Sequence, residues 1–285
     1  MLSVALAGKP NAGKSTFYKA ATMADVDVGN YPFTTIDPNR GVSHVRTRCP
    51  CLDLESRCDS GNCRDGKRYV PIELLDVAGL VPGAHEGKGL GNQFLSDLNE
   101  ADVLVHVVDF SGKTDSEGEP TEGHDPRDDI DFLEDELDMW YLGILEKGIE
   151  RFESKYHGAD ASIEADLAEQ MSAFRTNEDE IKRTILAEGL DLDPSTWDET
   201  DRESLAREIR KRTKPMVIAA NKIDDPAAAE NFADVAADPA YDHLPIVPTS
   251  AHAEKALRTA DEAGRVDYTP GDDDFALVDD VSEEQ

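Results

Sequence analysis

Residues 2–16, LSVALAGKPNAGKST, run an apolar segment straight into a loop that fits G-x-x-x-x-G-K-[ST]. A helix-compatible run, STFYKAATM, follows at 15–23. Strand, glycine-bearing loop and helix in this order make backbone N–H groups converge on phosphate oxygens. Asn11, Ala12, Gly13, Lys14, Ser15 and Thr16 are the loop positions that would approach a nucleotide. Lys14 supplies a point charge to the outer phosphates, and Ser15 a hydroxyl to Mg²⁺. Gly13 stands where a side chain would block the approach of backbone to phosphate.

The rest of the chain repeats the strand signal. Apolar runs at 2–8, 69–77, 102–110, 215–222 and 244–250 end in Gly8, Asp76, Asp109, Asn221 and Ser250. Runs that end in polar residues, with helices between, describe an open, mostly parallel α/β sheet whose site lies at the carboxyl ends of its strands. NKID (221–224) closes the fourth run. A carboxylate at Asp224 accepts from the N1–H and 2-amino group of guanine, which adenine cannot offer, and its loss would leave an acceptor unpaired. TSA (249–251) follows, with Ser250 and Ala251 placed to close over a base. With DVAG (76–79), these elements define a P-loop NTPase of the Ras-like G-domain type. Asp76 would hold a water on Mg²⁺, and the Gly79 N–H would meet the γ-phosphate.

Between 113 and 213 the rhythm changes. Apolar residues at 130, 133, 137, 140, 141, 144, 145, 149 and 152 recur at helical spacing. Further helices are predicted near 161–174, 178–187 and 200–212, giving an inserted antiparallel α-helical domain reached through a polar connector at 112–127. The expected division is a G domain over 1–112 and 214–270, with a Cys-rich insertion at 46–68, the helical domain over 113–213, and an acidic tail over 271–285.

Acidic residues number 61 against 29 basic ones, a formal charge of -32 spread along the whole chain. That spread fits a folded protein with an acidic, salt-adapted surface, as in halophiles. It disfavours nucleic-acid binding by charge alone, because phosphate contacts need Lys and Arg, although concentrated salt would screen the repulsion from an RNA-rich partner. No run approaches the ~20 apolar residues of a membrane span, and the N-terminus lacks a signal peptide's basic start. The expected setting is cytoplasmic, as a monomer.

Four stretches, GKPNAGKST, NYPFTTIDPNRG, DVAGLVPGAHEGKGLGNQFL and VVDFSG, together resemble the Obg-related GTPases, and within them the YchF branch, also called Obg-like ATPases. The resemblance covers nearly the whole chain. It implies hydrolysis of a nucleoside triphosphate to the diphosphate and phosphate with Mg²⁺, as a switch linked to ribosomes or translation. It also implies a C-terminal TGS domain that this sequence does not include, so the chain reads as a fragment. It makes Thr35, with Thr34 as the alternative, the switch hydroxyl for Mg²⁺ and the γ-phosphate. Many bacterial and eukaryotic members have lost NKxD and use ATP. Asn221, Lys222 and Asp224 are intact here, as in archaeal-type members, so GTP and GDP are the expected ligands. Leu80 stands where many GTPases carry a water-orienting Gln. Asn11, in a GxPNxGKS loop, points to K⁺ beside the phosphates as a substitute, with His85 a weaker candidate. A nucleotide-sensing module with negligible turnover is the rival reading.

All four cysteines, Cys49, Cys51, Cys58 and Cys63, fall within RCPCLDLESRCDSGNC. Four thiolates so close can close a tetrahedral Zn²⁺ site. Free thiols or a redox pair are the alternatives. Arg46, Arg48, Arg57, Arg64, Lys67 and Arg68 surround them, a basic island that suggests an rRNA or ribosome contact against the alternative of local charge compensation.

Overall fold

The computed structural model describes residues 1–23, 40–54, 58, 61–64, 66–77, 98, 100–155, 162–174 and 176–278. Its main sheet is built from β1 (Leu2–Ala7), β2 (Arg40–Arg48), β3 (Cys63–Arg64), β4 (Lys67–Asp76), β5 (Val103–Asp109), β6 (Met216–Asn221) and β7 (Ile246–Pro248). The order is β2-β4-β1-β5-β6-β7, with β3 pairing to β4 off this path. β4, β1, β5, β6 and β7 are mutually parallel, while β2 and β3 run antiparallel to β4.

The five parallel strands are the five apolar runs of the sequence. A parallel sheet is covered on both faces, so its strands read as continuous apolar segments. β1 illustrates this, with five of its six residues buried. β2, RGVSHVRTR, is mostly polar, with Val42 and Val45 its only large apolar residues. It is an edge strand whose pairing partner lies on one side only, so its side chains need not be apolar.

The described α-helices are α1 (Lys14–Thr22), α2 (Pro126–Lys155), α3 (Ile163–Gln170), α4 (Glu178–Ala187), α5 (Glu199–Thr213), α6 (Pro226–Ala236) and α7 (Ala251–Glu262). Most begin on a residue suited to the task. Ser162, Asn177, Asp198, Asp225 and Ser250 each accept a first-turn N–H through the side chain. Asn177 and Asp198 form complete capping boxes with Glu180 and Asp201. Among the described residues no helix is long and apolar enough to cross a membrane.

α2 has 30 residues, about 45 Å at 1.5 Å per residue, and it serves two cores. Ile130, Leu133 and Leu137 pack with Leu104, Val108, Phe110 and Ile218 of the sheet. Tyr141, Leu145, Ile149 and Phe152, further along, pack with Leu167, Phe174, Ile185, Leu205 and Ile209 of the other helices. The first turns of the helical segment are thus part of the sheet's own core. A third cluster, Val4, Leu6, Ile72 and Leu74 against Phe17 and Tyr18, seats α1 on the opposite sheet face.

α2 and α5 are joined through a buried guanidinium. Arg210 is 2% exposed, and its Nε and Nη2 donate to Asp138 Oδ1 at 2.7 Å and Glu134 Oε1 at 2.8 Å. Arg207 donates to the other Asp138 oxygen. Removing one partner of such a network leaves buried charge uncompensated. Arg210→Met is therefore expected to destabilise the chain by about 3–5 kcal/mol, read as a lower urea midpoint at unchanged slope.

Past α7, β8 (Val266–Asp267) pairs with β9 (Ala276–Leu277) in a separate two-stranded sheet. Between them, Asp272 takes the Arg46 guanidinium and the Lys67 ammonium. Hydrogen bonds from Lys67 and Arg46 hold its carboxyl below the usual range. Arg48 pairs with Asp53, and Arg68 donates to the Cys58 sulfur. Four members of the basic island are thus engaged within the chain, and Arg57 lies outside the described residues. Arg46, Arg48 and Lys67 meet carboxylates, while Arg68 meets a cysteine sulfur.

Candidate functional site

The carboxyl ends of β1, β4, β5 and β6 lie side by side, which brings Gly8, Asp76, Asp109 and Asn221 to one edge. The loop from Gly8 to Gly13 leaves β1 there and turns into α1. Two glycines are demanded by contact. A Cβ at Gly8 (φ +153°) would lie 2.4 Å from Val107 O. One at Gly13 (φ +98°) would lie 2.2 Å from the Asn221 amide nitrogen. Asn11 (φ 61°) and Lys222 (φ 65°) also sit in the left-handed region, where residues with side chains are uncommon and cluster at functional sites.

Asn221 ties the site together. It is 2% exposed. Its Nδ2 donates to Ala12 O at 2.8 Å, and its Oδ1 accepts from Ala251 N at 3.0 Å. One side chain thereby joins the loop after β1 to the loop after β7. Ser250, beside Ala251, caps α7 and donates to Asp224 Oδ1 at 2.5 Å. Asp224 is exposed at the mouth of the site, so its second carboxylate oxygen can meet a ligand.

Lys14 donates to Asp76 Oδ1, which places the ammonium of the first loop and the strand-end carboxylate at one point. Asp76 with the Ser15 hydroxyl, which is exposed at the first turn of α1, forms a set of hard oxygen donors. Such a set fits Mg²⁺, which binds proteins through one or two oxygens and completes its shell with water and phosphate. Thr34, Thr35, Gly79, Leu80 and His85 lie outside the described residues.

A second layer beneath the loops was not legible as a site. Asp109 is fully buried and accepts from Ser111 N and Oγ, Thr114 Oγ1 and Lys222 Nζ. Burial alone would raise its carboxyl, but hydrogen bonds from Lys222, Ser111 and Thr114 outweigh it and hold the pKa below the usual value. Lys9, 7% exposed, donates to Thr114 O at 2.7 Å and pairs with Asp129 of α2 at 2.8 Å. Asn11 Nδ2 donates to Gly118 O at 2.9 Å. Lys113 pairs with Asp225. The connector over 112–125 is therefore bonded to both nucleotide loops. Its signal in sequence was weak, since polar residues between two elements look like an ordinary loop.

His106 of β5 is 3% exposed, and burial, then the nearby Lys9 charge, lower its pKa to about 3. An ordinary imidazole titrates near 6.5. Between these values the unfolded chain binds a proton that the folded chain refuses. Stability is then whole above about pH 6.5 and falls by about 1.4 kcal/mol per pH unit below it. Urea melts from pH 7.5 to 5 in molar KCl, where surface repulsion is screened, should show this slope. His106→Leu should flatten it.

Fold and site together define a nucleotide-binding protein of the P-loop GTPase class. Residues 3–139 match the family model of the 50S ribosome-binding GTPases, and 219–285 match that of the Obg-like GTPase YGR210-like, G4 motif-containing domain. A GTP-binding protein of Methanocaldococcus jannaschii is 44% identical over 281 residues, 98% of this chain and 70% of the relative. The ribosome-binding ATPase YchF of Haemophilus influenzae is 31% identical over 268 residues, 92% and 69% of the two chains. The crystal structure of a GTP-binding protein from Pyrococcus horikoshii superposes with a TM-score of 0.76 at 37% identity, covering 94% of this chain and 70% of that one. The chain belongs to the YchF group of Obg-like GTP-binding proteins.

Proposed function

We propose that this chain binds GTP with Mg²⁺ and hydrolyses it to GDP and phosphate, as a cytoplasmic switch that meets the ribosome. The observation that carries this reading is the Asn221 bridge between Ala12 and Ala251, because it places a phosphate loop and the guanine-type carboxylate of Asp224 in one site. Backbone N–H groups of Asn11 to Thr16 surround the phosphates, and Lys14 donates to their outer oxygens. Ser15, Asp76 and Thr35 would hold Mg²⁺, which when bound would supply positive charge to the phosphate oxygens. The Gly79 N–H meets the γ-phosphate. Asp224 takes the guanine edge, while Lys222, Ser250 and Ala251 shape the base pocket.

Leu80 can neither orient a water nor accept its proton. Asn11 has its amide nitrogen occupied by Gly118 O, which leaves its oxygen as the end available to a cation. K⁺ held there would add positive charge beside the reacting phosphates. The formal charge of -32 suits a K⁺-rich interior. Ribosome binding is carried by the YchF relative of that name and by no surface described in this chain. Single-turnover hydrolysis in KCl, with and without ribosomes, tests the reading. Turnover is expected to need K⁺ and to fall in NaCl at equal ionic strength. Tight GTP binding with no turnover in any of these conditions would replace the switch enzyme by a nucleotide sensor.

A further inference from the structure

We propose that Cys49, Cys51, Cys58 and Cys63 bind one structural Zn²⁺ that clips the excursion between β2 and β4. All four sulfurs lie within 4.8 Å of one another. Cys49 and Cys58 are 3.8 Å apart, as are Cys51 and Cys63. A tetrahedral ion with metal–sulfur distances of about 2.3 Å sets its ligands about 3.8 Å apart along every edge. A disulfide would bring two sulfurs to about 2.05 Å, and all four cysteines are free. The placement is a four-thiol cage.

The surroundings suit such a cage. The Arg68 guanidinium donates to Cys58 Sγ at 3.7 Å, and Zn²⁺ with four thiolates carries a net negative charge that this cation offsets. A donor of this kind to coordinated sulfur orients the ligand. Cys49 N also closes the neck of the excursion by donating to Gly66 O at 2.7 Å.

Burial contributes little to holding the segment's described residues. Among its described residues from 49 to 64 only Cys49 is buried, while Leu52 and Leu54 are 53% and 72% exposed. A segment that cannot bury an apolar core must obtain its order from a cross-link or a metal. On binding, Zn²⁺ displaces the remaining thiol protons to solvent. Four protein ligands leave no open coordination position, so the site is structural. It does not depend on the nucleotide reading: Arg68 and Asp76 are separated along β4 by about 26 Å of extended chain.

The test is metal analysis of the full chain purified without chelator, with thiols titrated before and after a zinc-stripping mercurial. About one zinc per chain is expected, with thiols that react slowly until the metal is released. Co²⁺ added to stripped protein should give the intense visible bands of a tetrahedral thiolate site. Arg68→Ala keeps all four ligands and should weaken zinc affinity by about 10–100-fold. Cys58→Ser should lose the zinc and lower Tm. Zinc at background with four promptly reactive thiols in the folded protein would overturn the proposal, and so would stoichiometric iron in place of zinc.

Discussion

Asn221→Ala is expected to weaken binding of GTP and of GDP together, by about thirtyfold or more. The side chain is buried and saturates a carbonyl at Ala12 and an N–H at Ala251. Truncation leaves both main-chain groups without partners, at about 1–3 kcal/mol each. The loss falls on both loops at once, because their spacing is set by that one amide. Asn221→Asp should do no better. Its carboxylate can still accept from Ala251, but it would face the Ala12 carbonyl with no proton to donate. Titration calorimetry with GTP, GDP and pyrophosphate separates this effect from base recognition. Pyrophosphate, which has no base, should weaken too, since the phosphate loop itself has lost its brace. Unchanged pyrophosphate affinity would show that the loop after β1 holds its shape without Asn221.

Asp224→Asn isolates the other half of the site. The carboxylate is exposed and anchored by Ser250, so the fold should tolerate an amide of nearly the same shape. Two charge-assisted hydrogen bonds to guanine are replaced by one weak contact and one donor facing a donor. At about 1.5–3 kcal/mol for each charged bond, GTP affinity should fall by at least about a hundredfold. Pyrophosphate binding should stay as it was. Xanthosine triphosphate, with a carbonyl in place of the 2-amino group, should recover much of the loss, because the new amide can donate to it. Equal GTP affinity in the variant and the parent would remove Asp224 from base recognition.

Much of this architecture was legible in sequence because the parallel strands carry continuous apolar runs and the phosphate loop has a fixed spacing. The long helix beginning at 126 was legible from its periodicity. β2 was not, since Val42 and Val45 alone among Arg, Ser, His and Thr make no strand pattern. The double role of α2 was also hidden. Ile130 and Leu137 show the same period as Leu145 and Phe152, and periodicity does not say which neighbour covers which turn. The layer formed by Lys9, Asp109, Thr114 and Asp129 joins positions up to 120 residues apart, and only the fold brings such residues together. Asp272, more than 200 residues from Arg46 along the chain, meets Arg46 and Lys67, a pairing that no local sequence signal announces.

The central claim is that one site reads both the phosphates and the guanine of its ligand. Equilibrium binding of GTP and ATP, measured side by side with Mg²⁺ in molar KCl, tests it most directly. GTP should bind at least about a hundredfold tighter, with the preference abolished in Asp224→Asn. ATP binding as tightly as GTP to the unaltered chain would contradict the account.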